Sequence, residues 1–110
     1  MNSEKKKRLE RSGWTVGQAA DFLQLSPEEA KFIDLKLALA SALRELREKG
    51  GFSQTALATR LGSSQSRVAR MEAGDNSVSI DLLIKSLLTI GAGSADIARW
   101  IMRAETRRAA

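Results

Sequence analysis

Cysteine and histidine are both missing from the 110 residues. Without cysteine there is no disulfide, no thiolate metal site and no cysteine nucleophile. Without histidine the usual general base at neutral pH is gone, and so is the commonest zinc ligand. No metal and no other cofactor is expected, and no catalytic residue is assigned. The carboxylates do not fill the gap. Glu28, Glu29, Asp34, Glu45 and Glu48 fall on helix surfaces, as caps or as i,i+4 partners such as Glu45 with Lys49. Aromatic residues make up only 5 % of the chain, two Trp and three Phe, which gives no platform for stacking unpaired RNA bases. No apolar run approaches the ~20 residues that span a bilayer. The charged N-terminus is not followed by the apolar stretch of a signal peptide. A cytoplasmic protein with no membrane partner is the expectation. Phosphate-binding glycine motifs are missing as well. Gly50-Gly51 has no strand before it and no GK[ST] after it, and Gly91 with Gly93 lacks a third glycine.

What remains is an ordinary hydrophobic content of 43 % and a net charge of +5, enough for one folded domain with a modest core. The charge is unevenly spread. Residues 1–11 carry +3, residues 94–110 carry +2, and the stretch between is neutral. Overall charge is therefore weak support for a nucleic-acid partner. The local balance says more: residues 54–73 hold Arg60, Arg67 and Arg70 against Glu72 alone.

Residues 1–11 form a basic tail with one apolar residue, Leu9, either solvated or serving as an arm toward DNA. Residues 12–29 form an N-terminal extension with a short helix. Thr15-Val16-Gly17-Gln18 is a capping-box pattern there. Trp14 and Phe22 are too large to leave exposed, so they cover the core or a partner surface. Ser26-Pro27-Glu28-Glu29 is the clearest helix start: a Ser cap, Pro at the first helical position, and acidic residues at the positive end of the dipole. That helix runs to about Lys49 with two apolar stripes. One holds Phe32, Leu35, Leu39, Ala42 and Leu46; the other holds Ile33, Leu37 and Ala40. Gly50-Gly51 turns the chain, Phe52 is expected to plug the core, and Ser53 caps the next helix.

Residues 54–73, QTALATRLGSSQSRVARMEA, organise the rest. The spacing predicts a helix from about Gln54 to Leu61, packed through Leu57, Ala58 and Leu61. Gly62 follows, where a left-handed backbone favours glycine. Ser64 caps a second helix starting at Gln65, with Val68 and Met71 inward and Gln65, Ser66, Arg67, Ala69 and Arg70 outward. Ala, Gly and Val at positions 5, 9 and 15 of this window are the pattern of a DNA-binding helix-turn-helix. Gly74 then caps the second helix, and Asp75-Asn76-Ser77 is a polar loop. Ser79 starts a very apolar helix through Ile80, Leu83, Ile84, Leu87, Leu88 and Ile90. Ser94 or Ala95 starts the last one, with Ile97, Trp100, Ile101 and Ala104 as its stripe. Trp100 and Ile101 cover the core or form a two-fold dimer contact.

The chain resembles the Xre (Cro/phage-repressor-like) helix-turn-helix proteins. Phe52-Ser53-Gln54, Leu57-Ala58, Leu61-Gly62, Ser64-Gln65-Ser66 and Met71-Glu72-Ala73-Gly74 carry the likeness, with Ser79 through Gly91 behind them. The fold implied is all-α: a compact five- to six-helix, phage-repressor-like domain over residues 30–93, with the N-terminal extension before it. Residues 94–110 form a C-terminal helix. The resemblance implies a double-stranded DNA operator as partner and a homodimer. It implies base contacts from Gln65, Ser66, Arg67, Ala69 and Arg70, and phosphate contacts from Ser53, Gln54 and Ser64. The wording is also similar to HigA-type antitoxins, which adds a cognate toxin as a partner, held by the N-terminal extension from Trp14 to Leu25 with Phe22 in it. A stand-alone regulator and a protein-interaction adaptor stay open beside that. Two positions depart from the family pattern. Asp75 stands where a Lys or Arg often meets the DNA backbone. Ser63 replaces an apolar residue, so the turn is expected to pack loosely.

Overall fold

The computed structural model describes residues 25–109, with side chains through 104. The expected tail and short helix of residues 1–24, with Trp14 and Phe22, lie outside the described residues. Five helices are described: α1 Pro27–Lys49, α2 Gln54–Leu61, α3 Gln65–Glu72, α4 Ile80–Thr89 and α5 Ser94–Ala109. No strand occurs among the described residues. None of these helices is long and apolar enough to cross a membrane.

The first four helix starts share one device. Ser26, Ser53, Ser64 and Ser79 each sit in extended backbone, and each hydroxyl accepts a hydrogen bond from the N–H three residues on. Each cap satisfies one of the donors that a helix leaves unpaired in its first turn, an effect worth about 1 kcal/mol. The stops differ. Gly62 closes α2 in the left-handed region at φ 64°. At α3 the cap is Ala73, and Gly74 behind it takes the left-handed step at φ 65°. Gly74 is also packed: a Cβ there would stand 2.8 Å from Leu37 Cδ2.

α1 is the spine, with its broadest contact against α5 and further contacts to α3 and α4. The core joins Leu39 and Leu43 of α1, Leu57 of α2, Val68 and Met71 of α3, and Leu83 and Leu87 of α4. Trp100 of α5 closes it at 7 % exposure. Ala58 is buried beside α3, as close approach of two short helices requires.

The periodic reading misses several positions. Phe32 has the spacing of an apolar stripe but is 53 % exposed, while Leu43, outside both stripes, is fully buried. The inward face of α1 passes through Lys36, Ala38, Leu39, Ala40, Ala42 and Leu43. Lys36 is buried along its stem, and burial lowers its pKa, partly offset by the nearby Asp75 charge. In α4, Leu88 faces outward and Ser86 faces inward. Phe52 does not plug the core. Its ring lies against Gly50, with the Arg60 guanidinium 4.8 Å from the ring centre. Glu45 reaches Arg103 on α5 at 3.2 Å rather than Lys49, and the i,i+4 pair on α1 is Arg44 with Glu48. Asp75 is buried and folds its own loop: its carboxylate accepts from the Ser77 N–H at 2.9 Å and from the Ser77 hydroxyl. It is not a cation aimed outward, as that position often is in the proteins the chain resembles.

Candidate nucleic-acid interface

At about 100° per residue, α3 divides into four sides. Val68 and Met71 face the core. Gln65, Ser66, Ala69 and Arg70 share the opposite, outer side, and all but the half-buried Ala69 are exposed. Glu72 and Arg67 occupy the two flanks between.

The Glu72 flank is fully bonded. The Arg47 guanidinium grips the Glu72 carboxylate with two bonds, Nε to Oε2 at 2.6 Å and Nη2 to Oε1 at 3.0 Å. A second amino group of Arg47 donates to the Phe52 carbonyl at 2.8 Å. This fork-on-carboxylate geometry is the strong form of an ion pair. The pair is well enclosed: the Arg47 and Glu72 side chains are 13 % and 4 % exposed. The bond to Glu72 pushes the Arg47 pKa further upward, so the guanidinium stays charged. Gln54 adds its amide, Nε2 donating to Glu72 Oε1 at 3.1 Å. Gln65 in turn donates from Nε2 to Gln54 Oε1 at 2.7 Å. A continuous relay runs from α1 through the end of α3 to the start of α2 and back to the start of α3.

The relay sets two properties. The single carboxylate in residues 54–73 is turned inward and neutralised by Arg47, so Arg60, Arg67 and Arg70 set the sign of the outer surface. It also leaves Gln65 held at one N–H, with its second N–H and its carbonyl open among the described residues.

The assigned site residues divide by place. Gln65, Ser66, Ala69 and Arg70 come together on the outer side. Ser53 and Ser64 are exposed at the two helix starts, their hydroxyls engaged as caps and Ser64 Oγ also 3.3 Å from Ser66 Oγ. Gln54 sits beside Gln65. Arg67 stands roughly a third of a turn away from that group and lines a cleft against α4. Trp100 belongs to the core of its own chain, and Ile101 packs partly against it. Arg47 and Glu72 were not assigned to the site from sequence. They are 25 residues apart, and only the crossing of α1 over α3 brings them together.

Residues 43–87 match a family model described as helix-turn-helix. The fold is a helix-turn-helix. A candidate HTH-type transcriptional regulatory protein of Pyrococcus furiosus is 56 % identical over 43 residues, 39 % of this chain. The chain spans only 14 % of that relative's length. No solved structure matches. Within the helix-turn-helix, α2 is the first helix and α3 the second, and the outer side of α3 is the exposed one.

Proposed function

We propose that the chain is a sequence-specific double-stranded DNA-binding protein that regulates transcription as a repressor. The observation that carries the proposal is the outer side of α3, where Gln65, Ser66 and Arg70 stand exposed together while Glu72, the one carboxylate of residues 54–73, is buried on Arg47. The helix-turn-helix match and the name of the Pyrococcus relative support it. Gln65 is the principal reader. With one N–H on Gln54, its remaining N–H and carbonyl suit a bidentate contact to adenine N7 and N6. Ser66 meets a neighbouring base edge, Ala69 a thymine methyl, and Arg70 a guanine or a phosphate one turn on. Ser53, Gln54 and Ser64 grip the backbone at helix starts, where N–H groups and the dipole favour a phosphate. A homodimer reading two half-sites completes this role.

The test is a titration with duplex DNA from upstream of the chain's own gene, at two salt concentrations, against a scrambled duplex. Tight binding to the native duplex alone, with a steep salt slope, is the expected result, and the slope counts the phosphates engaged. Gln65→Ala should lose ~1–3 kcal/mol on the operator and leave non-specific binding nearly unchanged. Equal, weak binding to both duplexes would sink the proposal and favour the adaptor reading.

Resemblance to HigA-type antitoxins extends the proposal to a chain that represses its own operon and also holds a small toxin. Support for this step is the sequence alone, since its surface from Trp14 to Leu25 lies, but for Leu25, outside the described residues. An antitoxin co-purifies with its neighbouring gene product and relieves the growth arrest that product causes. A stand-alone regulator does neither.

A further inference from the structure

The cleft on the Arg67 flank lies between the α2–α3 turn and α4, with a volume of about 260 Å³. Two small polar residues open it. Ser63 stands in the turn where an apolar side chain would fill the space. Ser86 interrupts the apolar run of α4 at a position only 5 % exposed. The Ser86 hydroxyl donates to the Met71 thioether at 3.7 Å, a weak acceptor that leaves the buried group open to a better one. Arg67 and Lys85 line the same small space. Neither side chain forms an ion pair or hydrogen bond among the described residues. Two cations facing one cleft repel each other, and an anion between them reverses the sign of that term. Leu61, Leu82 and Met71 supply the apolar walls.

We propose that this cleft binds a small organic anion, a carboxylate or phosphate ester carried on an apolar body. The charged head sits between Arg67 and Lys85 and accepts from the Ser86 hydroxyl, and the body lies along the leucines and Met71. The volume falls just below the ~300–1,000 Å³ of sites for drug-sized molecules, so the ligand is small. The site stands whether or not the chain binds DNA, and the test is run without DNA.

The full chain, labelled with ¹⁵N, is titrated with phenyl phosphate and with hexanoate. Inorganic phosphate serves as the head alone and hexanol as the body alone. The expected result is saturable amide shifts around Ser63, Arg67, Lys85 and Ser86 with at least one of the two amphipathic anions. Binding should be about tenfold tighter than to either half alone. Lys85→Gln should weaken binding by about tenfold and Lys85→Arg should retain it. Ser86→Leu, if folded by circular dichroism, should abolish it by filling the space. The proposal is overturned by no saturable shifts at these residues, or by inorganic phosphate or hexanol binding as tightly as the amphipathic anions. Shifts that Lys85→Gln leaves unaltered, or that survive Ser86→Leu in a folded chain, overturn it as well.

Discussion

The two flanks of α3 are built on opposite principles. On the Glu72 side each polar side chain is committed: Arg47 to Glu72 and Phe52, Gln54 to Glu72, Gln65 to Gln54. On the Arg67 side a buried hydroxyl has, among the described residues, a thioether as its side-chain partner, and two cations line an open cleft. The same eight-residue helix is therefore fixed along one edge and loosely supported along the other. A relay of good bonds in an enclosed place defines one geometry for the side chain at its end. A flank with spare volume and spare donors can accommodate something else.

Glu72→Ala is the most damaging way to erase that difference. It leaves the Arg47 charge, at 13 % exposure, with the Phe52 carbonyl and the Glu48 carboxylate at 3.8 Å, and should destabilise the chain by about 2 kcal/mol, measured by urea unfolding. A loss below about 1 kcal/mol would place the pair among ordinary surface salt bridges. Gly74→Ala attacks the same end of α3 through the backbone. Its φ of 65° costs a residue with a Cβ ~1–2 kcal/mol, and the Leu37 side chain must also shift. A fall in unfolding free energy of that size is expected, with no change in the denaturant slope. Gln54→Ala removes the middle of the relay. Operator affinity should fall by about 1 kcal/mol more than the lost phosphate contact explains, because Gln65 loses its tether. The excess is read from a double-mutant cycle with Gln65→Ala, and strictly additive losses would show that the two amides act independently. Ser86→Ala is the opposite-flank control. Its hydroxyl has so weak a partner that stability should change by less than about 0.5 kcal/mol. A loss near that of Glu72→Ala would mean the open flank is as tightly bonded as the other.

Much of the helical frame was legible because its signals are local. Ser53, Ser64 and Ser79 mark helix starts by chemistry that acts within three residues, and Gly62 marks a stop by its backbone alone. Val68 and Met71 identify the inner side of α3 for the same reason, since an eight-residue helix has few ways to face. α1 was harder. It contacts α3, α4 and α5, so apolar residues occur around much of its surface and no single stripe decides its register. Phe32 consequently looked like core and Leu43 did not. Phe52 misled in another way: a lone aromatic beside a turn can satisfy itself against Gly50 and Arg60 without reaching the interior. The relay was invisible because Arg47 and Glu72 read as ordinary surface charges until the helices are crossed.

The Gln54–Gln65 bond also constrains how such a protein can change over generations. Ser66, Ala69 and Arg70 stand outside the core, so in the proposed role substitutions there would change base preference and leave the fold alone. Gln65 is different. Its partner stands eleven residues earlier, on the preceding helix. A new letter at position 65 inherits a neighbour suited to the old one, and drift at that position should proceed in pairs. Under the proposed function, positions 65 and 54 should be mutated as one unit, 66 together with its neighbour Ser64 at 3.3 Å, and 69 and 70 as separate dials.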